Sequence, residues 1–275
     1  MNVEAALRQA RAAGVASLDA QLLLVEATGL LRTALITHGE RELANGEEDR
    51  WSGWLARRRT GEPLAYLLGR KEFCGLLLEV TPDVLIPRPE TELLVDWAAS
   101  LFDAVPPPST LLDLGTGSGA LALALKQRCP RLAVTASEVS ASALAVARRN
   151  ARRLGLDVEF AAGSWWEPLA DRCFDVVVSN PPYIAAGDAH LAALAHEPRL
   201  ALTPGGDGLG AIAAIAHGAV AHLRPGGWLL LEHGFDQAEA VRELLGAAGL
   251  ERVETRRDLA GQSRATGARV PGAVV

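Results

Sequence analysis

A polar, proline-rich corner interrupts an apolar segment in the second half of the chain. Residues 176–178 are all valine, a β-branched run typical of a buried strand, and Asn180-Pro181-Pro182-Tyr183 follows shortly after. We expect the strand to end there, because two consecutive prolines lack the N–H groups that a sheet requires. The corner then offers the Asn180 side-chain oxygen and the Pro181 carbonyl as acceptors, at the edge where open α/β sheets bind ligands.

A glycine-rich loop is the second chemically distinctive segment, between an apolar stretch at 110–114 and a helical pattern. It consists of Gly115, Thr116, Gly117, Ser118 and Gly119. Glycines let a backbone turn tightly and approach a ligand closely. The spacing also fits the dinucleotide fingerprint, so the loop alone does not separate a nicotinamide enzyme from a methyltransferase with a nucleoside cofactor.

An acidic residue, Glu138, ends the strand that the sequence predicts at 133–137. At the carboxyl end of a parallel strand, its carboxylate can accept hydrogen bonds from both hydroxyls of a ribose. Nicotinamide and nucleoside cofactors both contain such a ribose. Glu138 therefore predicts a nucleoside-containing ligand and leaves the two classes of enzyme open.

The elements that must position these residues change character along the chain. Residues 1–70 predict helices without strands, and residues 71–90 contain a short, glycine-broken apolar run that predicts a β-hairpin. We expect a helix at 92–102, ended by the prolines at 106–108. From residue 110 onward strands and helices alternate, which is typical of a doubly wound α/β fold with a parallel sheet.

Composition excludes several classes of protein. The net charge of -6 is unlike the basic footprint of a non-specific nucleic-acid binder, and no apolar run is long enough to cross a membrane. Three cysteines without metal-ligand spacing predict a reduced, cytoplasmic protein. His190, His196 and Glu197 do not form a metal-ligand set either. We interpret them as loop or helix-surface residues and expect no metal.

The glycine loop, Glu138 and the Asn-Pro-Pro-Tyr corner together resemble a class I S-adenosylmethionine-dependent methyltransferase. Four further segments resemble the bacterial release factor glutamine methyltransferase (PrmC/HemK) family in particular, and they lie at 62–69, 86–92, 230–234 and 257–261. This resemblance covers nearly the whole chain. It implies methylation of the side-chain nitrogen of the glutamine in the Gly-Gly-Gln motif of peptide chain release factors. A ribosomal-protein glutamine methyltransferase and an adenine-N6 nucleic-acid methyltransferase are the alternatives.

The resemblance also implies how the cofactor S-adenosylmethionine is bound. Glu138 would hold the ribose, and Trp165 would cover the adenine. The full predicted cofactor site is Gly115, Thr116, Gly117, Ser118, Gly119, Glu138, Trp165 and Asn180. Two positions depart from the family pattern, since Glu138 replaces the usual Asp and Ser164 replaces a common acidic residue. Trp166 adjoins Trp165, so the spacing leaves open which tryptophan stacks on the adenine.

For the substrate glutamine, the resemblance implies binding at the proline-rich corner. The predicted substrate site is Asn180, Pro181, Pro182 and Tyr183, and Asn180, Pro181 and Tyr183 are its catalytic residues. We expect the Asn180 oxygen and the Pro181 carbonyl to accept the two amide hydrogens and orient the nitrogen for in-line displacement. Tyr183 would pack on the planar amide.

Three parts of the chain follow from the same resemblance. Residues 1–70 would form a helical domain that binds the release factor, residues 71–90 a β-hairpin linker, and residues 91–275 the Rossmann-like catalytic domain. We expect a monomer that contacts neither a membrane nor nucleic acid directly.

Overall fold

The computed structural model describes residues 1–102 and 109–272. Contacts between residues divide the chain into two compact units, Met1–Arg70 and Lys71–Val275. The prolines at 106–108, expected to end a helix, lie outside the described residues. Within the described ranges, no helix is long and apolar enough to cross a lipid bilayer.

The first unit is helical, as the sequence predicts. Its helices are α1 (Val3–Ala12), α2 (Ser17–Thr28), α3 (Ala34–Thr37), α4 (Asn45–Arg59) and α5 (Leu64–Leu68). They enclose an apolar core in which Leu23, Leu24 and Trp51 are fully buried. Helix α4 has acidic residues in its first turn and arginines 57–59 in its last turn, a charge order that stabilises the helix dipole.

A hairpin of two short strands follows this helical unit. Strands β1 (Arg70–Phe73) and β2 (Leu76–Glu79) form a two-stranded sheet. The two residues between them, Cys74 and Gly75, have φ angles of 48° and 78°. Two consecutive residues in the left-handed region are what a tight two-residue hairpin requires, because they match the twist of the strands.

The second unit is built on a seven-stranded sheet in the order β5-β4-β3-β6-β7-β9-β8. Its strands are β3 (Thr110–Leu114), β4 (Ala133–Glu138), β5 (Glu159–Ala162), β6 (Phe174–Ser179), β7 (Leu223–Glu232), β8 (Glu251–Arg257) and β9 (Ser263–Arg269). The first five are parallel, and β9 runs antiparallel to both of its neighbours. The predicted α/β fold with a mostly parallel sheet is confirmed.

Helices cover both faces of this sheet. The helices of this unit are α6 (Glu92–Phe102), α7 (Ala120–Arg128), α8 (Ala141–Leu154), α9 (His190–Ala193), α10 (Arg199–Leu202), α11 (Gly210–His222) and α12 (Ala238–Ala247). Val176 and Val178 of β6 pack in the apolar cluster that contains α6 and α7, whereas Val177 packs with α11 and α12. The valine run is apolar at every position because successive side chains point to opposite faces and both faces are buried.

The order of the strands reverses at β3, which places two loops side by side. Strand β3 pairs with β4 on one edge and with β6 on the other, and Asp113 lies opposite Val178. The loops that follow β3 and β6 therefore leave the same edge of the sheet next to each other. A topological switch of this kind is where doubly wound folds bind their ligands.

Candidate active site

A cavity of about 290 Å³ lies at the carboxyl ends of β3, β4 and β6. Most of the residues predicted to form the site line it: Gly115, Thr116, Gly117, Ser118, Glu138, Trp165, Asn180, Pro181 and Pro182. Apolar side chains such as Leu85 and Leu200 complete the wall. A concave, mainly apolar cavity with a few converging polar groups is typical of a small-molecule site.

Two of the predicted site residues lie outside the cavity wall. A Cβ on Gly119, which has a φ of 87°, would come within 2.9 Å of Leu123 in the helix that it precedes. Tyr183 packs against the α11–α12 side of the core, and its hydroxyl donates to Glu232 Oε1 at 3.2 Å. Both residues support the loops that carry the cavity wall. Their predicted contacts with a cofactor or a substrate stay predictions.

Asp113 is a cavity residue that the sequence argument did not assign. It is only 1 % exposed, and its Oδ2 accepts hydrogen bonds from the Thr116 hydroxyl at 2.6 Å and from the Ala122 N–H at 3.2 Å. Burial raises the pKa of this carboxyl to about 7. Its Oδ1 is buried without a hydrogen-bond partner among the residues that the structure describes. An acid inside an otherwise apolar strand was the available signal.

Glu138 is fixed against the glycine loop by its own two oxygens. Oε2 accepts from the Gly117 N–H and Oε1 from the Ser140 N–H, both at 2.9 Å. The side chain is nearly buried at 8 % exposure and lines the cavity. Each carboxylate oxygen can accept more than one hydrogen bond, so both retain capacity for hydroxyl groups of a ligand.

The two adjacent tryptophans take different places. Trp165 lines the cavity with a φ of 43°, a strained value for a bulky residue, and a Cβ on Gly115 would lie 3.3 Å from its ring. Trp166 points to helix α11 instead, where its Nε1 donates to the Ile215 carbonyl and its ring stacks on His222 at 4.8 Å. Trp165 is therefore the tryptophan that can cover a ligand in the cavity.

The Asn180 side chain is held by a residue far away in the sequence. Its Nδ2 donates to the Thr91 hydroxyl at 3.1 Å, so Oδ1 is the end of the amide that points away from Thr91. Behind Thr91 lies Glu232 at the end of β7, a carboxylate that is 1 % exposed. Burial raises the pKa of Glu232 to about 7, although the hydroxyls of Thr91 and Tyr183 lower it in part.

Glu197 corrects an expectation from the sequence. It is not a surface residue, as interpreted above, because it is only 7 % exposed. Its carboxylate accepts from the Ile86 N–H at 3.1 Å and from the Arg88 guanidinium. This contact joins the segment at 86–91 to the loop before α10, and both segments line the cavity. A lone glutamate beside a proline carries no local pattern that would have revealed it.

The two histidines grouped with Glu197 in the sequence do not join it in a metal site. His190 is exposed, and its ring lies 2.7 Å from the Asp188 carboxylate. Over residues 1–102 and 109–272, the structure holds no cluster of three or more histidine, cysteine or acidic side chains that could ligate a metal.

Comparisons with known proteins identify relatives over nearly the full length. The family model "Methyltransferase small domain" matches residues 91–210, and the model "PrmC N-terminal domain" matches residues 2–69. The release factor glutamine methyltransferase of Bordetella pertussis is 51% identical over 258 residues, which cover 92% of this chain and 95% of that protein. The protein of the same name from Burkholderia pseudomallei is 51% identical over 271 residues and covers 95% of each chain.

A solved structure shows the same fold at lower identity. A methyltransferase from Pyrococcus furiosus superposes with a TM-score of 0.55 at 23% identity, covering 80% of this chain and 99% of that one. This similarity shows the fold alone, whereas the relatives at 51% identity show the family to which the chain belongs.

Proposed function

Because the chain belongs to the release factor glutamine methyltransferase family, we propose that it methylates the glutamine of the Gly-Gly-Gln motif in peptide chain release factors. The methyl group would come from S-adenosylmethionine and be attached to the side-chain nitrogen. The observation that carries this proposal is a cavity lined by Asp113, Glu138 and Asn180 together, three polar residues from the ends of neighbouring strands of the sheet. The names of the relatives support the choice of the release factor as substrate.

The polar wall of the cavity fits S-adenosylmethionine. The buried, unpartnered Oδ1 of Asp113 suits the ammonium group of the methionine part, since an unpaired buried acceptor is costly without a ligand donor. Glu138 would accept the ribose hydroxyls, and Trp165 would provide a flat surface for the adenine. When bound there, S-adenosylmethionine supplies a methyl group that its sulfonium sulfur already activates.

The residues of this chain would then act on the acceptor. An amide nitrogen is a poor nucleophile because its lone pair is delocalised into the carbonyl. The Asn180 Oδ1 and the Pro181 carbonyl would accept its two hydrogens, orient the nitrogen and stabilise the positive charge that develops on it. The methylated nitrogen finally releases one proton to water, so no general base is needed before the transfer. Tyr183 would stabilise this corner through Glu232.

The first unit would recognise the release factor outside the glutamine loop. Leu31 and Ile36 are 76% and 78% exposed in the segment around α3, and such side chains would be buried if this segment contacts the release factor. The proposal keeps the three parts expected from the sequence, with residues 71–90 as linker and residues 91–275 as the catalytic domain.

A competition experiment tests the substrate assignment. The protein is incubated with methyl-labelled S-adenosylmethionine and equal amounts of a release factor, a ribosomal-protein mixture and adenine-containing DNA. We expect the label on the release factor. Label on ribosomal proteins or DNA alone would keep the methyltransferase and reject its proposed substrate, whereas binding of nicotinamide cofactor instead of S-adenosylmethionine would reject the class of enzyme.

A further inference from the structure

The last residue of the Asn-Pro-Pro-Tyr corner is held by both its side chain and its main chain. The Tyr183 hydroxyl donates to Glu232 Oε1 at 3.2 Å, and the Tyr183 carbonyl accepts from Gln237 Nε2 at 2.9 Å. Tyr183 lies outside the cavity wall, whereas Asn180 and Pro181 of the same corner line it. The contacts of Tyr183 therefore restrain the corner from outside the cavity.

Gln237 links this corner to the loop that follows β7. Its Oε1 accepts from the Gly234 N–H at 2.8 Å, while its Nε2 donates to the Tyr183 carbonyl. A backbone N–H can only donate and a carbonyl can only accept, so these two partners allow a single orientation of the Gln237 amide. Strands β6 and β7 are neighbours in the sheet. The amide therefore joins the loops that follow two neighbouring strands.

Gly208, in the loop before α11, packs against the same hydrogen bond. Its φ is 87°, and a Cβ placed on it would lie 2.3 Å from the Tyr183 carbonyl oxygen and 3.0 Å from Gln237 Nε2. Only glycine allows a positive φ together with so close an approach to another backbone. The main chain at Gly208 therefore confines the Tyr183 carbonyl on one side.

Two backbone hydrogen bonds keep the loop of Gly208 beside the corner. The Ile184 N–H donates to the Leu202 carbonyl at 2.9 Å, and the Ala186 N–H donates to the Gly206 carbonyl at 3.0 Å. The segment that follows the corner and the loop before α11 therefore run side by side, so the close approach at Gly208 belongs to an extended contact.

We propose that Gln237 and Gly208 are positioning residues that set the direction of the two acceptor oxygens of the corner. These oxygens, on the Asn180 side chain and the Pro181 carbonyl, are the ones proposed to bind the amide hydrogens of the substrate glutamine. The inference rests on the proposed function and deepens it. Neither positioning residue is proposed to touch the substrate, because both act through Tyr183.

The corner can transmit this restraint because it is stiff. Its two prolines fix φ at about −65° and have no N–H with which to form anchoring contacts of their own. The direction of such a segment is set at its two ends. Ser179 at the end of β6 donates its hydroxyl to the Leu114 carbonyl at 2.6 Å, and Tyr183 holds the other end. A displacement of about 1 Å at a reacting group can lower a rate roughly 10²-fold, so a loosened Tyr183 should slow the transfer.

The first experiment compares two substitutions of Gln237 that keep its length. Gln237→Met removes both hydrogen bonds, whereas Gln237→Glu keeps an acceptor for the Gly234 N–H and loses only the donor to Tyr183. In both variants we expect kcat for the release factor to fall roughly 10- to 100-fold, with the affinity for S-adenosylmethionine and KM for the release factor changed by no more than about 3-fold. If Gln237 only shaped its own loop, Gln237→Glu would keep near-wild-type kcat, and the positioning role would be wrong.

The second experiment uses two glycines of the same loop with matched φ angles. Gly208 and Gly205 have φ of 87° and 86°, but a Cβ on Gly205 would meet nothing within 4 Å. The backbone strain of an alanine is therefore comparable at both positions, and only Gly208→Ala pushes against the Tyr183 carbonyl. We expect Gly208→Ala to lower kcat roughly 10- to 100-fold with retained affinity for S-adenosylmethionine, and Gly205→Ala to keep kcat within about 2-fold. Equal kcat values in the two alanine variants would overturn the inference.

The outcomes distinguish this inference from the proposed function. If the wild-type protein does not methylate the release factor, the proposed function fails, and the inference that rests on it fails too. If it does, but Gln237→Glu and Gly208→Ala keep near-wild-type kcat, the positioning role fails alone. A loss of S-adenosylmethionine binding in parallel with kcat would also overturn it, because the two residues would then support the whole site and not the corner in particular.

Discussion

At the level of single residues, few polar side chains line the cavity, and hydrogen bonds to the rest of the protein hold them in place. Asn180 has one amide end bound to Thr91, and Glu138 has both oxygens bound to backbone N–H groups. Side chains fixed in this way lose little freedom when a ligand arrives, so their hydrogen bonds contribute more fully to binding and orientation.

The different environments of the two tryptophans lead to a prediction for each. Trp165→Ala should weaken S-adenosylmethionine binding by roughly 10-fold or more, because stacking of a base on an aromatic ring contributes about 1–3 kcal/mol. Trp166→Ala should change the affinity for S-adenosylmethionine by no more than about 2-fold. It should lower the free energy of unfolding by about 3 kcal/mol, because the Trp166 ring packs on α11 and stacks on His222. Calorimetric titration and urea unfolding measure the two effects. Equal loss of binding in both variants would contradict the assignment of Trp165.

Glu232 and Asp113 predict how stability depends on pH. Both carboxyls have folded-state pKa values of about 7, well above their ordinary values, so the folded protein binds more protons than the unfolded chain between about pH 4 and pH 7. The free energy of unfolding should therefore decrease as pH rises through this window.

The Glu232→Gln variant tests the sign of this effect. Its free energy of unfolding should decrease less than that of the wild type between about pH 5 and pH 8, with Asp113 contributing the remaining slope. The difference between the two proteins should reach a few kcal/mol, roughly 1.4 kcal/mol for each unit of pKa shift. Urea unfolding at several pH values measures it. A wild-type protein that gains stability over the same range relative to the variant would contradict the buried, raised pKa of Glu232.

At the level of elements, two segments of the cavity wall are joined by an ion pair between the buried Glu197 and the partly exposed Arg88. Removing the Glu197 carboxylate takes the acceptor away from both the Arg88 guanidinium and the Ile86 N–H. We expect Glu197→Leu to lower the free energy of unfolding by about 2–4 kcal/mol and to raise KM for the release factor. Arg88 is partly exposed, so Arg88→Met should cost less. In the double variant Arg88→Met with Glu197→Leu, part of the stability should return.

A double-mutant cycle on thermal or urea unfolding measures this coupling. The ion pair at Arg149 and Glu79, which is exposed and outside the cavity, provides a control in which Arg149→Met should cost no more than about 1 kcal/mol. Additive losses at Arg88 and Glu197, without coupling, would contradict the role of the pair in joining the two segments.

The sequence predicted the elements that carry local patterns and missed the contacts that join them. The valine run, the glycine loop and the strand end at Glu138 have recognisable local signals. The glycine loop and Glu138 line the cavity, and the valine run leads to Asn180, which also lines it. Thr91 and Asn180 are 89 residues apart, and Ile86 and Glu197 are 111 apart. Partners at such separations leave no periodicity in the sequence, so the Thr91–Asn180 hydrogen bond and the contacts of Glu197 are visible only in the folded chain.

The sequence could not decide whether Trp165 or Trp166 faces the cavity, for a similar physical reason. Adjacent residues of similar chemistry have the same spacing to every motif, and the φ of 43° at Trp165 that separates their directions depends on the folded loop. The helical character of residues 1–70 was predictable, because helices form from local contacts and suitable end residues.

At the level of the whole molecule, the helical unit is proposed to supply affinity for the protein substrate. The double variant Leu31→Ser with Ile36→Ser should raise KM for the release factor by roughly 10-fold, because it removes two exposed apolar side chains that are proposed to contact the release factor. Methylation of a short peptide with the Gly-Gly-Gln sequence should be unchanged. The control is Leu77→Ser, at an exposed leucine of the hairpin. Unchanged KM for the full release factor would contradict the role of this surface.

Mass analysis of the substrate tests in one measurement whether the protein methylates one glutamine and whether the Asn180 corner is required. A release factor is incubated with S-adenosylmethionine and either the wild-type protein or Asn180→Ala, and its peptides are analysed by mass spectrometry. We expect one added methyl group on the glutamine of Gly-Gly-Gln with the wild-type protein. With the variant, we expect a rate about 10²–10³-fold lower and retained binding of S-adenosylmethionine. Near-wild-type methylation by Asn180→Ala, or a methyl group on another residue, would contradict it.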